Sequence, residues 1–142
     1  MQHNVRDSYQ EAQVLSSSPL ELVRLLYRGA IESIVEARQC LAGRDIAGRA
    51  QAINRALAIV IELSASLDHR HDAELSRTLA ELYDYVQRLL IDANCRQVDP
   101  PLREAQALLA TLQDAWKSCE PGVRIQHPGM VTAGYQPVSV AG

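Results

Sequence analysis

Apolar side chains recur every three or four positions along most of this chain, the spacing that places them on one face of an α-helix. Polar breaks interrupt the pattern at 43–45, 68–72 and 99–101. Each break holds glycine, aspartate or proline, the residues that commonly end one helix and begin the next. The pattern therefore predicts four helices, over about 19–41, 46–67, 73–94 and from the last break to about 117.

Each predicted helix carries an apolar stripe that can face a shared core. Helices of about 20 residues, each about 30 Å long and joined by short turns, pack side by side as an antiparallel four-helix bundle. We therefore predict an all-α fold. In chain order the stripes consist of Val23, Tyr27, Ala30, Ile34 and Leu41; Ile46, Ile53, Leu57, Val60 and Leu67; Leu75, Leu79, Leu82, Val86 and Leu89; and Ala105, Leu109, Leu112 and Trp116.

The first helix has a well-marked beginning. Ser18 can act as the N-cap, Pro19 suits the first helical position, and Glu21 completes the pattern of a capping box. Gly29 stands inside the same helix, where it costs up to about 1 kcal/mol relative to alanine. A glycine at that place predicts the close approach of another backbone.

The two ends of the chain differ from the bundle in composition. Residues 1–17 are polar and aperiodic, so we predict a flexible N-terminal segment. Residues 120–142 hold four glycines and three prolines with almost no charge, which predicts a disordered tail. The bundle domain is therefore expected to span 18–119.

The second helix carries more apolar surface than a core-facing stripe needs. Its apolar positions span about 200°, whereas a stripe somewhat over about 100° is enough. Ile59 and Leu63, one turn apart, lie to one side of the main stripe. We interpret this pair as the ridge of a groove that receives a partner helix, although such residues also wrap around a bundle edge against neighbouring helices. Further candidates for the groove, outside or at the margin of their own stripes, are Leu22, Leu25, Tyr85 and Ile91.

Composition and charge narrow the class of protein. Hydrophobic residues make up 47%, with no phenylalanine and one tryptophan, so the core is expected to be aliphatic. The net charge of −3 mixes both signs and argues against a nucleic-acid partner. No apolar run approaches the roughly 20 residues of a membrane span, and no secretory signal precedes the helices. We therefore expect a cytoplasmic protein with no membrane span.

The sequence gives little support to catalysis or metal binding. Cys40, Cys95 and Cys119 lack the close spacing of a metal knuckle. A di-iron bundle would need Glu-x-x-His pairs, and none occurs. His69 and His71 stand in a polar break, where a solvated turn is a simpler interpretation than a metal site. We see no phosphate-binding glycine loop and no nucleophile elbow, so we predict a non-enzyme without a cofactor.

Three motifs carry a resemblance to a known family. The first is Ser-Pro-x-x-Leu at 18–22, leading into Leu-Tyr-x-Gly-Ala-Ile at 26–31. The second begins with Leu-Tyr-Asp-Tyr-Val at 82–86 and continues through Arg-Leu-Leu and Ala-Asn, and the third is Asp-Ala-Trp-Lys at 114–117. In this order and spacing they resemble the flagellar secretion chaperones of the FliS type, over about residues 5 to 119.

This resemblance implies a function. Proteins similar to this one bind the C-terminal segment of flagellin in the cytoplasm, prevent its premature polymerisation and help deliver it to the gate of the flagellar type III export apparatus. In that family the flagellin segment wraps around the bundle as short helices, and the chaperone's own N-terminal segment can occupy part of the groove. From the residues alone, a generic four-helix adaptor for another amphipathic helix stays an open alternative.

The resemblance also assigns a role to the N-terminal segment. Tyr9 matches the family tyrosine that lies ten residues before the proline of the Ser-Pro motif and is linked to docking on the export gate. The family often has an apolar residue three positions earlier, where this chain has Arg6 with Val5 beside it. We therefore expect Tyr9, with Val5, to contact the gate.

Overall fold

The computed structural model describes residues 18–118, in which four α-helices and no β-strand occur. The predicted all-α fold is confirmed for these residues, and the predicted helix ends differ from the observed ones by at most two residues. The predicted flexible segment 1–17 and tail 120–142 lie outside the described residues. The helices are α1 (Pro19–Ala42), α2 (Ile46–Ala65), α3 (Ala73–Arg96) and α4 (Pro100–Lys117).

Side-chain caps begin the first three helices, because a serine or aspartate oxygen accepts a backbone N–H that the helix itself leaves unpaired. The predicted role of Ser18 as an N-cap is confirmed, and Asp72 caps α3 in the same way. Before α4, Asp99 makes no such bond, and its carboxylate instead accepts a hydrogen bond from Arg38 of α1. The capping bonds run from the N–H of Glu21 to Ser18 at 3.3 Å, of Gly48 to Asp45 at 2.9 Å, and of Leu75 to Asp72 at 3.0 Å.

The four helices form an antiparallel bundle in which each helix contacts its two neighbours in sequence order and α4 returns to α1. Consequently α1 lies diagonally opposite α3, and α2 lies opposite α4. Polar contacts between neighbouring helices agree with the antiparallel directions, since they join the late part of one helix to the early or middle part of the other. These contacts join Arg55 to Glu36 at 3.0 Å, Arg49 to Asn94 at 3.3 Å and Arg38 to Asp99 at 2.7 Å.

The core between the helices is mainly aliphatic, as predicted, with Tyr27, Tyr83 and Trp116 among its largest members. Two residues predicted to lie in the core stripes, Ile46 and Leu75, are exposed instead. Both belong to the first turn of their helices. The three-and-four pattern therefore does not predict burial at these two sites.

A pair of tyrosine hydroxyls joins diagonally opposite helices through the middle of the bundle. The hydroxyl oxygens of Tyr27 on α1 and Tyr83 on α3 lie 2.7 Å apart, and both side chains are buried. The indole ring of Trp116 on α4 lies 6.4 Å from the Tyr27 ring, centroid to centroid. Burial raises the pKa of both tyrosine hydroxyls.

Gly29 of α1 faces a side chain, not the backbone that the sequence led us to expect. A Cβ atom placed on Gly29 would lie 3.3 Å from Cδ1 of Ile59 on α2, closer than ordinary van der Waals contact. The missing side chain therefore makes room for Ile59. This contact turns Ile59 towards α1 and buries it in the core.

Arg38 ties the end of α1 to the beginning of α4. Its Nε and Nη2 donate to the two carboxylate oxygens of Asp99 at 2.7 and 3.0 Å, and its Nη1 donates to Gln106 Oε1 at 2.8 Å. The hydrogen bond from Arg38 holds the pKa of the Asp99 carboxyl below its usual value. A bidentate pair of this kind fixes the turn between α3 and α4 against α1.

Candidate binding surface

The structure buries three of the six residues predicted to line a partner groove. Leu22 is fully buried, Ile59 is 7% exposed and Leu63 is 2% exposed. Ile59 and Leu63 belong to the hydrophobic core, so the expectation that they form a surface ridge is wrong. The core direction of α2 runs between its contacts with α1 and α3, and Gly29 gives Ile59 the space to lie on the α1 side.

The three other predicted residues are accessible, but they do not form one groove. Leu25 is half-buried on α1, at a spacing from Leu22 and Gly29 that places all three on the side facing α2. Tyr85 on α3 is exposed, and its hydroxyl donates to Glu104 of α4. Ile91 is 51% exposed and lies on the other side of α3, towards α2. The candidates therefore lie on three different sides of the bundle.

The side on which Ile91 lies follows from its neighbours in the helix. Asn94, one turn later in α3, accepts a hydrogen bond from Arg49 of α2, so this side of α3 faces α2. On α2, the accessible apolar residues Ile46, Leu57 and Ile61 stand at intervals of 11 and 4 residues, which places them on one face. That face is the one turned away from Ile59.

Together these residues define an apolar surface along the outside of two helices. We name it the α2–α3 strip: Ile46, Leu57, Ile61 and Ile91. Leu57 is half-buried against the core, whereas the three isoleucines are at least half exposed. From Ile46 to Ile61 the strip is about 22 Å long at 1.5 Å per residue, roughly four helical turns.

The sequence interpretation missed Ile61 and assigned Ile46 and Leu57 to the core. The spacing of apolar residues on α2 shows a surplus but does not show its side, because isoleucine, leucine and valine occur over more than half of the helix circumference. The signal that could have found the correct side is Gly29. A glycine inside an apolar helix marks where a neighbouring side chain enters, and the exposed residues of that neighbour then lie on its other face.

Ionic groups beside the strip neutralise each other within α3. Arg88 pairs with Asp84 at 3.1 Å, and Arg96 pairs with Asp92 at 2.7 Å. Both pairs span one turn of the helix, four residues apart. The strip is therefore an apolar surface with balanced charge at its edge, which suits the apolar face of another helix better than a highly charged ligand.

The part of the chain that the structure describes shows no feature typical of metal binding or of a membrane span. No cluster of three or more histidine, cysteine or acidic side chains suited to a metal ion occurs among residues 18–118. Within the same residues, no helix combines the length and hydropathy required to cross a bilayer. His69 and His71 are exposed in the turn between α2 and α3.

Comparison with known proteins gives consistent matches. The family described as "Flagellar protein FliS" matches residues 1–123. A protein of Salmonella typhimurium named "Flagellar secretion chaperone FliS" is 35% identical over 118 residues, which cover 82% of this chain and 87% of the relative. Proteins of the same name from Escherichia coli and Bacillus subtilis are 32% identical over 108 residues and 31% identical over 114 residues. These two matches cover 75% and 80% of this chain, and 79% and 84% of the relatives.

Proposed function

The chain belongs to the FliS family of flagellar secretion chaperones, and we propose that it binds the C-terminal segment of flagellin in the cytoplasm. By covering that segment it would prevent premature polymerisation and assist delivery to the flagellar type III export apparatus. The observation that carries the proposal is the α2–α3 strip, because an exposed apolar surface on a helix bundle is suited to receive an amphipathic helix. Its length of about four turns matches a short client helix.

A client helix can contact only those candidate residues that are accessible on the surface of the bundle. Ile61 and Ile91 are each 51% exposed and lie on the same side of the bundle, so we propose them as the main contacts. Leu25 and Tyr85, which lie on other sides, would contact further parts of a client that extends around the bundle. Because Leu22, Ile59 and Leu63 are buried, they would meet a client only after the helices rearrange.

Charged replacements on the strip test this proposal. We expect Ile61→Asp and Ile91→Asp each to weaken binding of a flagellin C-terminal peptide by about tenfold or more, which is about 1.4 kcal/mol. Because both side chains are half exposed, the free energy of unfolding should change by less than about 1 kcal/mol. Isothermal titration calorimetry with the full chain measures the affinity, and urea denaturation measures the stability.

Ala107→Asp provides a matched control, since Ala107 is exposed on α4 and the substitution adds the same charge away from the strip. It should bind the peptide like the unmodified chain. Normal binding by both strip variants would show that the client lies elsewhere. An unmodified chain that does not bind the peptide would contradict the proposed function itself.

We further propose that Tyr9, with Val5, docks the loaded chaperone on the export gate. Both residues lie outside the described part of the chain, and the support is the family motif ahead of Ser18 and Pro19. Tyr9→Ala should leave the affinity for the flagellin peptide within about tenfold, while reducing capture of the complex by the cytoplasmic domain of the gate in a pull-down. Equal capture of the Tyr9→Ala and unmodified complexes would remove this role, and Tyr9→Phe tests whether the ring suffices.

A further inference from the structure

Arg49 is a buried cation without a carboxylate partner among residues 18–118. Arg49 lies near the beginning of α2, on the face that meets α3, and the residue is 5% exposed. Its Nε donates to Asn94 Oδ1 at 3.3 Å and its Nη1 donates to Gln97 Oε1 at 3.2 Å, and both acceptors are neutral amides. Buried charges in proteins are normally paired, so the positive charge of Arg49 is incompletely compensated.

The third guanidinium nitrogen of Arg49 remains available. Nη2 donates to no group in the described part of the chain, where every fully buried side-chain nitrogen or oxygen has a hydrogen-bond partner. Nη2 therefore keeps some contact with solvent. A guanidinium held in place by two amides, with one nitrogen open, is prepared to donate to an incoming acceptor.

A depression of about 350 Å³ adjoins Arg49 at this end of the bundle. Arg44 and Gln97 also line it, together with Asp45. One oxygen of the Asp45 carboxylate already accepts the N–H of Gly48 at 2.9 Å as the N-cap of α2. Two guanidinium groups and one carboxylate give the lining a net charge of +1, which favours an anion.

The backbone at the depression supports the same conclusion. Arg44 and Gln97 are the only non-glycine residues among 18–118 with a positive φ, at 60° and 57°. Both follow the end of a helix, where glycine adopts this conformation at lower cost. At each place the chain instead carries a long side chain with hydrogen-bond donors, and both side chains line the depression.

We propose that this depression binds a small oxyanion, a phosphate or carboxylate group, through Nη2 of Arg49 and the guanidinium of Arg44. The planar fork of arginine matches the oxygen geometry of both groups. The bound anion would complete the compensation of the buried charge. Anion binding at this site requires no flagellin, so the site is additional to the proposed client-binding function.

The test uses the full chain without a client. Thermal unfolding is followed while sodium chloride is exchanged for sodium phosphate, or in a second series for sodium acetate, at constant ionic strength and pH. A site-bound anion should raise the melting temperature with the logarithm of its concentration once this exceeds the dissociation constant, whereas general salt effects rise in proportion to concentration. The two series distinguish phosphate from carboxylate as the preferred group.

Two variants assign a logarithmic rise to the depression. Arg44→Gln, at an exposed turn position, should raise the apparent dissociation constant by about tenfold while leaving the fold intact. Arg49→Gln should leave only the linear salt effect, with circular dichroism confirming that the variant is folded. Arg55→Gln is the matched control, because it removes the same charge from an exposed site on α2 and should show the same logarithmic rise as the unmodified chain. A linear rise for the unmodified chain with both anions, or equal weakening by Arg55→Gln, would overturn the proposal.

Discussion

Leu63→Ala should lower the free energy of unfolding by about 2–5 kcal/mol, the usual cost of removing a buried leucine and leaving a cavity. Leu63 is 2% exposed and belongs to the core between the helices. Ile61, two residues earlier on α2, is 51% exposed and provides the matched control. Ile61→Ala should change the stability by no more than about 0.5 kcal/mol, since exposed sites tolerate truncation and alanine favours helix.

Urea denaturation followed by circular dichroism measures both variants under one condition. The comparison tests the rotation of α2 directly, because the two residues lie on different faces of the same helix. A stable Leu63→Ala variant beside a strongly destabilised Ile61→Ala variant would show that α2 presents its other face to the core. The proposed client surface would then have to be reassigned.

Tyr83→Phe should destabilise the bundle by about 1–3 kcal/mol, since it removes the partner of a buried hydroxyl on Tyr27. Tyr27→Phe should have a similar effect. The double variant should cost clearly less than the sum of the two single changes, because it leaves neither hydroxyl without the other. A double-mutant cycle by urea denaturation measures this coupling, and additive losses would show that the 2.7 Å contact contributes no interaction energy.

The same pair makes stability depend on pH in the alkaline range. Burial raises the pKa of Tyr27 and Tyr83 in the folded bundle, whereas in the unfolded chain both ionise near the ordinary value of 10.0. Their contribution to stability is therefore complete below about pH 10 and is lost as the pH rises above it. In an absorbance titration of phenolate, these two tyrosines should ionise only as the protein unfolds, and the double phenylalanine variant should lose less stability at high pH.

The sequence predicts the helices well because their signals are local. Ser18 and Asp72 cap the helices that follow them, and each capping bond spans three residues. The ion pair of Asp84 with Arg88 spans four residues of one helix and could be predicted for the same reason. Such contacts require no knowledge of which helix packs beside which.

The side that α2 presents to its neighbours could not be predicted in this way. Ile59 and Ile61 are the same residue type on one helix, but the first is buried beside the space above Gly29 and the second is exposed. Arg49 is a similar case, because its acceptors Asn94 and Gln97 lie 45 and 48 residues away in the sequence. A charged side chain is expected at the surface until its distant partners are known.

The contact between Gly29 and Ile59 also restricts how this protein can change during evolution. The two positions share one volume, since a methyl group added at 29 would come within 3.3 Å of the end of the side chain at 59. Alanine at 29 would strengthen the helix by up to about 1 kcal/mol, but it is best accommodated once the isoleucine has been shortened to valine. The order of substitutions therefore matters: a lineage that shortens residue 59 first can gain the alanine without crowding, whereas the reverse order passes through an overpacked intermediate.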